Sequence, residues 1–379
     1  MKDPRVDKLA DVLVNYSCAV KKGDVVHINF SGLDTIPLVK ALHKECILRG
    51  AKHVEIDFSD PEISRDFINL AKPAQLDYFP QHTLDFIKQV DCYIAVRGSE
   101  NSMVMANANT KNMAARQKVL SPILSERVDN TRWVVTIYPT HGTAQEAKMS
   151  LEEFEDFYFN ATIYDYAALK KRQAKLQKMM KAAKTVRIKA SDTDLEFSIA
   201  GMPAISCFGD RNIPDGEVFT APVRDSVNGH IQYNTPSIYQ GKEFENVYFE
   251  FVDGKIVVAK AGGQTKALNQ ILDSDEGARY IGEWSIGTNP NIRKPMRNIL
   301  FDEKIFGSIH LTPGRAYEEC DNGNRSAVHW DLVKILVGDG EIWFDNKLIQ
   351  KDGVFVHKNL LDLNPPKERK IAERFLAGR

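Results

Sequence analysis

The sequence predicts an α/β protein of two parts: an N-terminal open α/β domain with a largely parallel sheet over residues 1–184, and a C-terminal α+β domain over 185–379. Its 379 residues exceed the length at which a single core usually stops growing. The first half alternates short apolar runs with helical patterns, the signature of βαβ units. After Thr185 the texture changes to strands, turns and hairpins.

Taken in order, residues 24–30 read as a strand, 37–50 as a helix ended by Gly50, and 53–58 as the next strand. Residues 91–97 and 132–138 are further strands, separated by a breaker-poor helical stretch over 105–128. Residues 150–184 are helical, and their basic end carries Leu169, Leu176, Met179 and Met180 on one apolar side. That pattern fits a solvated helix between the domains better than a polyanion surface. In the second part, 186–190 and 195–199 read as strands, and 247–258 as a hairpin turning at Asp253-Gly254. Helical patterns there are confined to 262–280 and 366–377.

Composition excludes several function classes. With 43% hydrophobic and 27% charged residues the chain is an ordinary globular protein. Its net charge of -1 gives no reason to expect nucleic acid as a partner. Cys18, Cys46, Cys92, Cys207 and Cys320 lie far apart without a Cys-x-x-Cys pair, as expected of reduced thiols in a cytoplasmic protein. No apolar run reaches the roughly 18 residues needed to span a membrane. Phosphate loops, dinucleotide fingerprints, His-Glu-x-x-His and nucleophile elbows are absent.

The chemical signal lies in polar residues placed where strands should be apolar. Residues 326–337 read as a strand in which His329 and Asp331 share one face and Val328, Trp330 and Leu332 the other. Burying an imidazole and a carboxylate together is costly unless something compensates, and a divalent cation does so most effectively. Glu217, Glu283 and His310 stand in similar apolar or glycine-rich settings, whereas Asp302 and Lys304 make the stretch around Glu303 look partly exposed. Each residue taken singly also has a plain structural reading, as a turn carboxylate or a hydrogen-bonded core histidine. Together they supply the mixed nitrogen and oxygen donors that two divalent cations require, without the thiolates of a closed zinc site. Spacing alone does not bring them together in space. A serine hydrolase is disfavoured, because His329 and Asp331 on one strand face do not form a linear relay.

At these residues the chain resembles the thermophilic metalloaminopeptidase family typified by aminopeptidases T and S. The resemblance is carried by residues 212–222, Gly282-Glu283, residues 302–317 and residues 326–332, with softer support from Arg132-Trp133, Tyr138-Pro139, residues 144–147 and Met149-Ser150. It implies a dinuclear site of two divalent ions (Zn, Co or Mn) whose ligand positions are Glu217, Glu283, Glu303, His310, His329 and Asp331. Tyr317 falls on an active-site tyrosine. The implied activity is hydrolysis of N-terminal residues from peptides with a free N-terminus, by a homodimer whose first domain helps to enclose the site. We expect Glu283 to act as general base and Glu217 to bridge the metals. Two other readings stay open on the residues alone: a hydrolase of another amide or ester, and a non-catalytic small-ligand binding protein. Leu311-Thr312-Pro313-Gly314 departs from the family pattern, and Pro313 removes an N–H from the expected pocket wall.

Overall fold

The computed structural model describes residues 3–101 and 103–378. The chain divides into two compact units, Met1–Tyr164 with Gly209–Pro214, and Asp165–Phe208 with Asp215–Arg379.

The first unit is built on a five-stranded parallel sheet in the order His53–Phe58, Val25–Ser31, Cys92–Arg97, Arg132–Ile137 and Asn212–Ile213. One face of the inner strands is largely apolar, as expected under covering helices. Val26, Ile28, Ile94, Val96 and Val134 are fully buried. Helix Ile36–Leu48 carries Pro37 in its first turn, where a fixed φ is suited, and buries Leu38, Leu42 and Cys46. The helix expected over 105–128 runs instead from Thr110 to Asn130. It starts late because the Asn109 side chain accepts a hydrogen bond from the Asn112 N–H and caps the helix there.

Besides the short hairpin Ser237–Tyr239 with Lys242–Phe244, the second unit holds two larger antiparallel sheets packed face to face. One has eight strands, including Thr185–Ala190, Thr193–Ser198 and the hairpin Tyr248–Val252 with Lys255–Lys260. The other has five, in the order Leu332–Ile335, Ser308–Pro313, Ile281–Gly287, Glu217–Thr220 and Ile205–Cys207. Their inner faces share one core in which Phe197, Phe249, Trp284, Ile286 and Leu311 are buried. The Phe197 and Trp284 rings meet edge to face at 5.2 Å.

The division at 164/165 differs from the boundary expected near 185 by one helix, Tyr166–Ala182. Its apolar side is the cause: Leu176 and Met180 belong to the second unit's core. Gln173, fully buried, donates to the Glu217 carbonyl at 3.1 Å and to Thr288 Oγ1 at 2.9 Å. The helix is part of the second unit rather than a solvated connector.

The strand expected over 326–337 is regular only from Leu332 to Ile335. Pro313 has no N–H to continue the ladder, and Gly314 adopts a φ of 104°. Isolated contacts carry the pairing further: a bridge between Gly314 and His329, the Trp330 N–H donating to the Pro313 carbonyl at 3.2 Å, and the Arg315 N–H donating to the Val328 carbonyl at 2.7 Å.

Candidate metal centre

The alternation of the five-stranded sheet explains why carboxylates and imidazoles interrupt apolar runs. Val218, Trp284, Ile286, Ile309 and Leu311 face the shared core. The intervening residues Glu217, Glu283, Ser285, His310 and Thr312 therefore fall on the opposite face. Register places Ser285 beside His310, Glu283 beside Thr312, and Gly287 beside Glu217. Two missing side chains let neighbouring segments close in. A Cβ on Gly287 would lie 2.1 Å from the Ile305 carbonyl oxygen, and one on Gly282 would lie 2.4 Å from that of Gly314. Both glycines permit a backbone approach that no other residue allows.

Within this face Glu283 is central. Its Oε1 is 3.0 Å from His310 Nε2, and its Oε2 is 3.9 Å from His329 Nε2. His310 Nε2 also lies 3.6 Å from Glu217 Oε2, and His329 Nε2 lies 3.6 Å from Asp331 Oδ1. Two donor groups result, Glu217–Glu283–His310 and Glu283–His329–Asp331, each with donor atoms within 4.8 Å of one another. Glu283 belongs to both. Although His329 and Asp331 precede the regular strand, their side chains converge as the alternation requires.

Glu303 caps the short helix Ile299–Asp302 and lies outside both groups, with its carboxylate hydrogen-bonded to Lys304 Nζ. The expected exposure of this stretch is corrected by the structure: Lys304 is 0% and Asp302 4% exposed. Lys304 Nζ bonds Glu217 Oε1 at 2.5 Å and lies 3.7 Å from Asp215 Oδ1. An internal partner, not solvent, satisfies this charge. Tyr317 is 41% exposed, and its ring stands 4.6 Å from that of His329 and 6.0 Å from that of Phe219.

Further side chains hold the cluster in place, and only their polarity inside apolar strands could have marked them. Ser285 Oγ donates to Glu217 Oε2 at 2.8 Å, and Thr312 Oγ1 to Asp331 Oδ1 at 2.5 Å. His329 Nδ1 donates a hydrogen bond to the Arg315 carbonyl oxygen at 2.8 Å, which turns Nε2 to the cluster.

Burial and mutual repulsion set the protonation of the metal-free cluster. Burial pushes the Glu303 carboxyl up to about 8 against the pull of Lys304. Burial likewise raises Glu283, opposed by its hydrogen bond to His310. For His310 burial acts downward, but Glu283 and Glu217 outweigh it and lift the imidazolium to about 10. Burial would raise Glu217, yet Lys304 and His310 hold it below the ordinary range. Asp331 is also held low, with His329 and His310 overcoming its burial. Burial and the surrounding carboxylates push the Tyr317 phenol upward, so it stays protonated.

The donor set fits divalent cations. Glu283 Oε2, His310 Nδ1 and His329 Nε2 are buried without a hydrogen-bond partner, an arrangement that native proteins rarely leave uncompensated. Two of these atoms, Glu283 Oε2 and His329 Nε2, border the same group. A third cluster, Cys207–Asp215–Glu217, differs because Lys304 already supplies its positive charge.

Comparison with known proteins agrees with this chemistry. The profile of the thermophilic metalloprotease (M29) family matches residues 2–353. Aminopeptidase AmpS of Bacillus subtilis is 26% identical over 87% of this chain and 88% of its own. Aminopeptidase T of Thermus thermophilus is 26% identical over 92% of this chain and 95% of its own. The solved structure of wild-type AmpT from Thermus thermophilus shares the fold with a TM-score of 0.80 at 23% identity, covering 93% of this chain and 99% of that one.

Proposed function

Because this chain belongs to the thermophilic metalloprotease family, we propose that it is a metal-dependent aminopeptidase whose working site is the cluster around Glu283. The observation that carries the reading is the pair of donor groups sharing Glu283, with buried donor atoms left unpaired at Glu283 and His329. Two divalent cations, of Zn, Co or Mn, would be held by Glu217, Glu283, Glu303, His310, His329 and Asp331. When bound, they supply Lewis-acid polarisation of the scissile carbonyl and lower the pKa of the attacking water.

The chain's own groups move the proton and place the substrate. Water oxygen adds to the peptide carbonyl carbon while one of its protons passes to the Glu283 carboxylate. Glu283 then delivers that proton to the leaving nitrogen as the C–N bond breaks. Tyr317, protonated and next to His329, donates a hydrogen bond to the developing oxyanion. The substrate's free α-amine would bind a cation or a carboxylate of the cluster, which restricts cleavage to N-terminal residues.

Two further features fit a cytoplasmic homodimer. All five cysteines are free. The edge strand His53–Phe58 and helix Pro61–Leu70 expose Phe58, Ile63, Phe67 and Leu70, an apolar surface that a second copy would cover. Among the described residues no helix is long and apolar enough to cross a membrane.

The activity is tested with protein loaded separately with Zn, Co and Mn, on unblocked dipeptides and aminoacyl-anilides and on their N-acetylated counterparts. Release of single residues from the unblocked set alone is expected. Equal cleavage of the acetylated set would place the enzyme among hydrolases of other amides, and silence on both would remove the enzymatic reading.

A further inference from the structure

Lys304 is a residue that cation chemistry does not call for. An ammonium cannot ligate a metal and repels one, yet this side chain is wholly buried beside two of the carboxylates that would bind it. It also has nowhere to retreat. Its backbone N–H bonds the Phe301 carbonyl, and its own carbonyl accepts from the Asn289 N–H at 3.1 Å. The segment is pressed against the Gly287 backbone, where no Cβ would fit.

Charge balance gives the ammonium a purpose. Asp215, Glu217, Glu283, Glu303 and Asp331 carry five formal negative charges. Two divalent cations supply four positive ones, and Lys304 supplies the fifth, with both histidines neutral as ligands. A neutral loaded cluster therefore includes Lys304. Before loading, the same ammonium compensates one end only. It bonds Glu217 and Glu303, while Glu283 Oε2 and His329 Nε2 at the other end stay unpaired.

On the reading that the cluster holds two cations, we infer that Lys304 makes their positions unequal. The Glu283–His329–Asp331 position fills first and tightly. The Glu217–Glu283–His310 position fills second and weakly, because Glu217 is shared with a fixed positive charge. Lys304 is thus a positioning residue with two effects. It holds Glu217 and Glu303 in place while the protein is metal-free, and it grades the affinity of the loaded state.

The test is calorimetric titration of metal-free protein with Zn or Mn, alongside thermal melting with and without the metal. The wild type should show two classes of site, with affinities separated by about 10- to 100-fold, the range typical of changes around metal ligands. Lys304→Met should tighten the weaker class and narrow the gap, lower the melting temperature of the metal-free form, and show a larger rise in that temperature on metal addition than the wild type. Lys304→Arg, which keeps the charge, should keep the gap. If Lys304→Met folds only with metal present, release to a chelator replaces the titration: two phases for the wild type, merging towards one for the variant. Two wild-type classes whose separation is unchanged in Lys304→Met would overturn the role of Lys304 while leaving the metal reading intact. A wild type with a single class of two equal sites would do the same. Failure of the wild type to bind either cation would instead overturn the metal reading beneath it.

Discussion

His329 gives its Nδ1 proton to the Arg315 carbonyl oxygen at 2.8 Å, and this contact, not a regular strand, aims its Nε2 at Glu283 and Asp331. His329→Ala and Asp331→Asn should each remove about one of the two bound cations proposed per chain, because both residues serve the same donor group. Elemental analysis after exhaustive dialysis decides this. Unchanged metal content in both variants would show that the pair is structural.

Ser285 and Thr312 hold carboxylates without reaching the proposed cations. Ser285→Ala and Thr312→Val each delete one hydrogen bond, to Glu217 and Asp331 respectively. Metal affinity should weaken by about 10- to 100-fold, while stability of the metal-free protein falls by only about 1 kcal/mol. Competition with a chromogenic chelator and urea melts separate the two effects.

Much of this site was legible because burial leaves a mark in sequence. Glu217, Glu283 and His310 stood out as polar residues inside apolar runs, and the structure places all of them on the sheet face opposite the core. Lys304 was misread for the same reason in reverse. A lysine beside Asp302 and Glu303 looks solvated unless the chain's return to Gly287 is known. Asp215, not among the candidate ligands, is fully buried near Lys304. The strand over 326–337 was drawn too long because alternation continues past the point where Pro313 ends the hydrogen-bond ladder. The parallel sheet of the first unit was legible strand by strand, apart from its return at Asn212–Ile213, where two residues are too few for a periodic signal.

The metal-free protein should lose stability as pH rises from about 6.5 to about 10. The folded pKa of His310 is raised to about 10, so its contribution is full below the unfolded value of 6.5 and is lost on titration upward. Glu303, raised to about 8, adds a loss in the same direction between 4.5 and 8. Glu217 and Asp331, held low, give stability lost only as pH falls below the ordinary carboxylate range, so they do not oppose this trend. Melting curves across that interval, with and without Mn, should show a decline that the metal suppresses, since ligation replaces the His310 proton. A flat metal-free profile would contradict the assigned couplings.

Trp330 fixes the segment between the two proposed ligands His329 and Asp331. It stacks on Tyr239 at 4.7 Å and donates from Nε1 to Ser237 Oγ at 2.8 Å. Trp330→Ala should cost about 3–5 kcal/mol and loosen the Glu283–His329–Asp331 group with it. Trp330→Phe should retain most of the stability. Guanidinium melts of the metal-free variants measure the first effect, and metal titration the second.

Tyr317→Phe removes the proposed oxyanion donor while keeping the ring that packs on His329 and Phe219. We expect kcat to fall by about 10²- to 10³-fold with KM nearly unchanged. A proportional rise in KM at constant kcat would move Tyr317 from transition-state stabilisation to substrate binding.

The account rests on two cations sharing Glu283. Anomalous diffraction from crystals grown with Zn or Mn tests it most directly. Two peaks are expected, one in contact with Glu217, Glu283 and His310, the other with Glu283, His329 and Asp331. A single peak, or peaks that do not share Glu283, would contradict it.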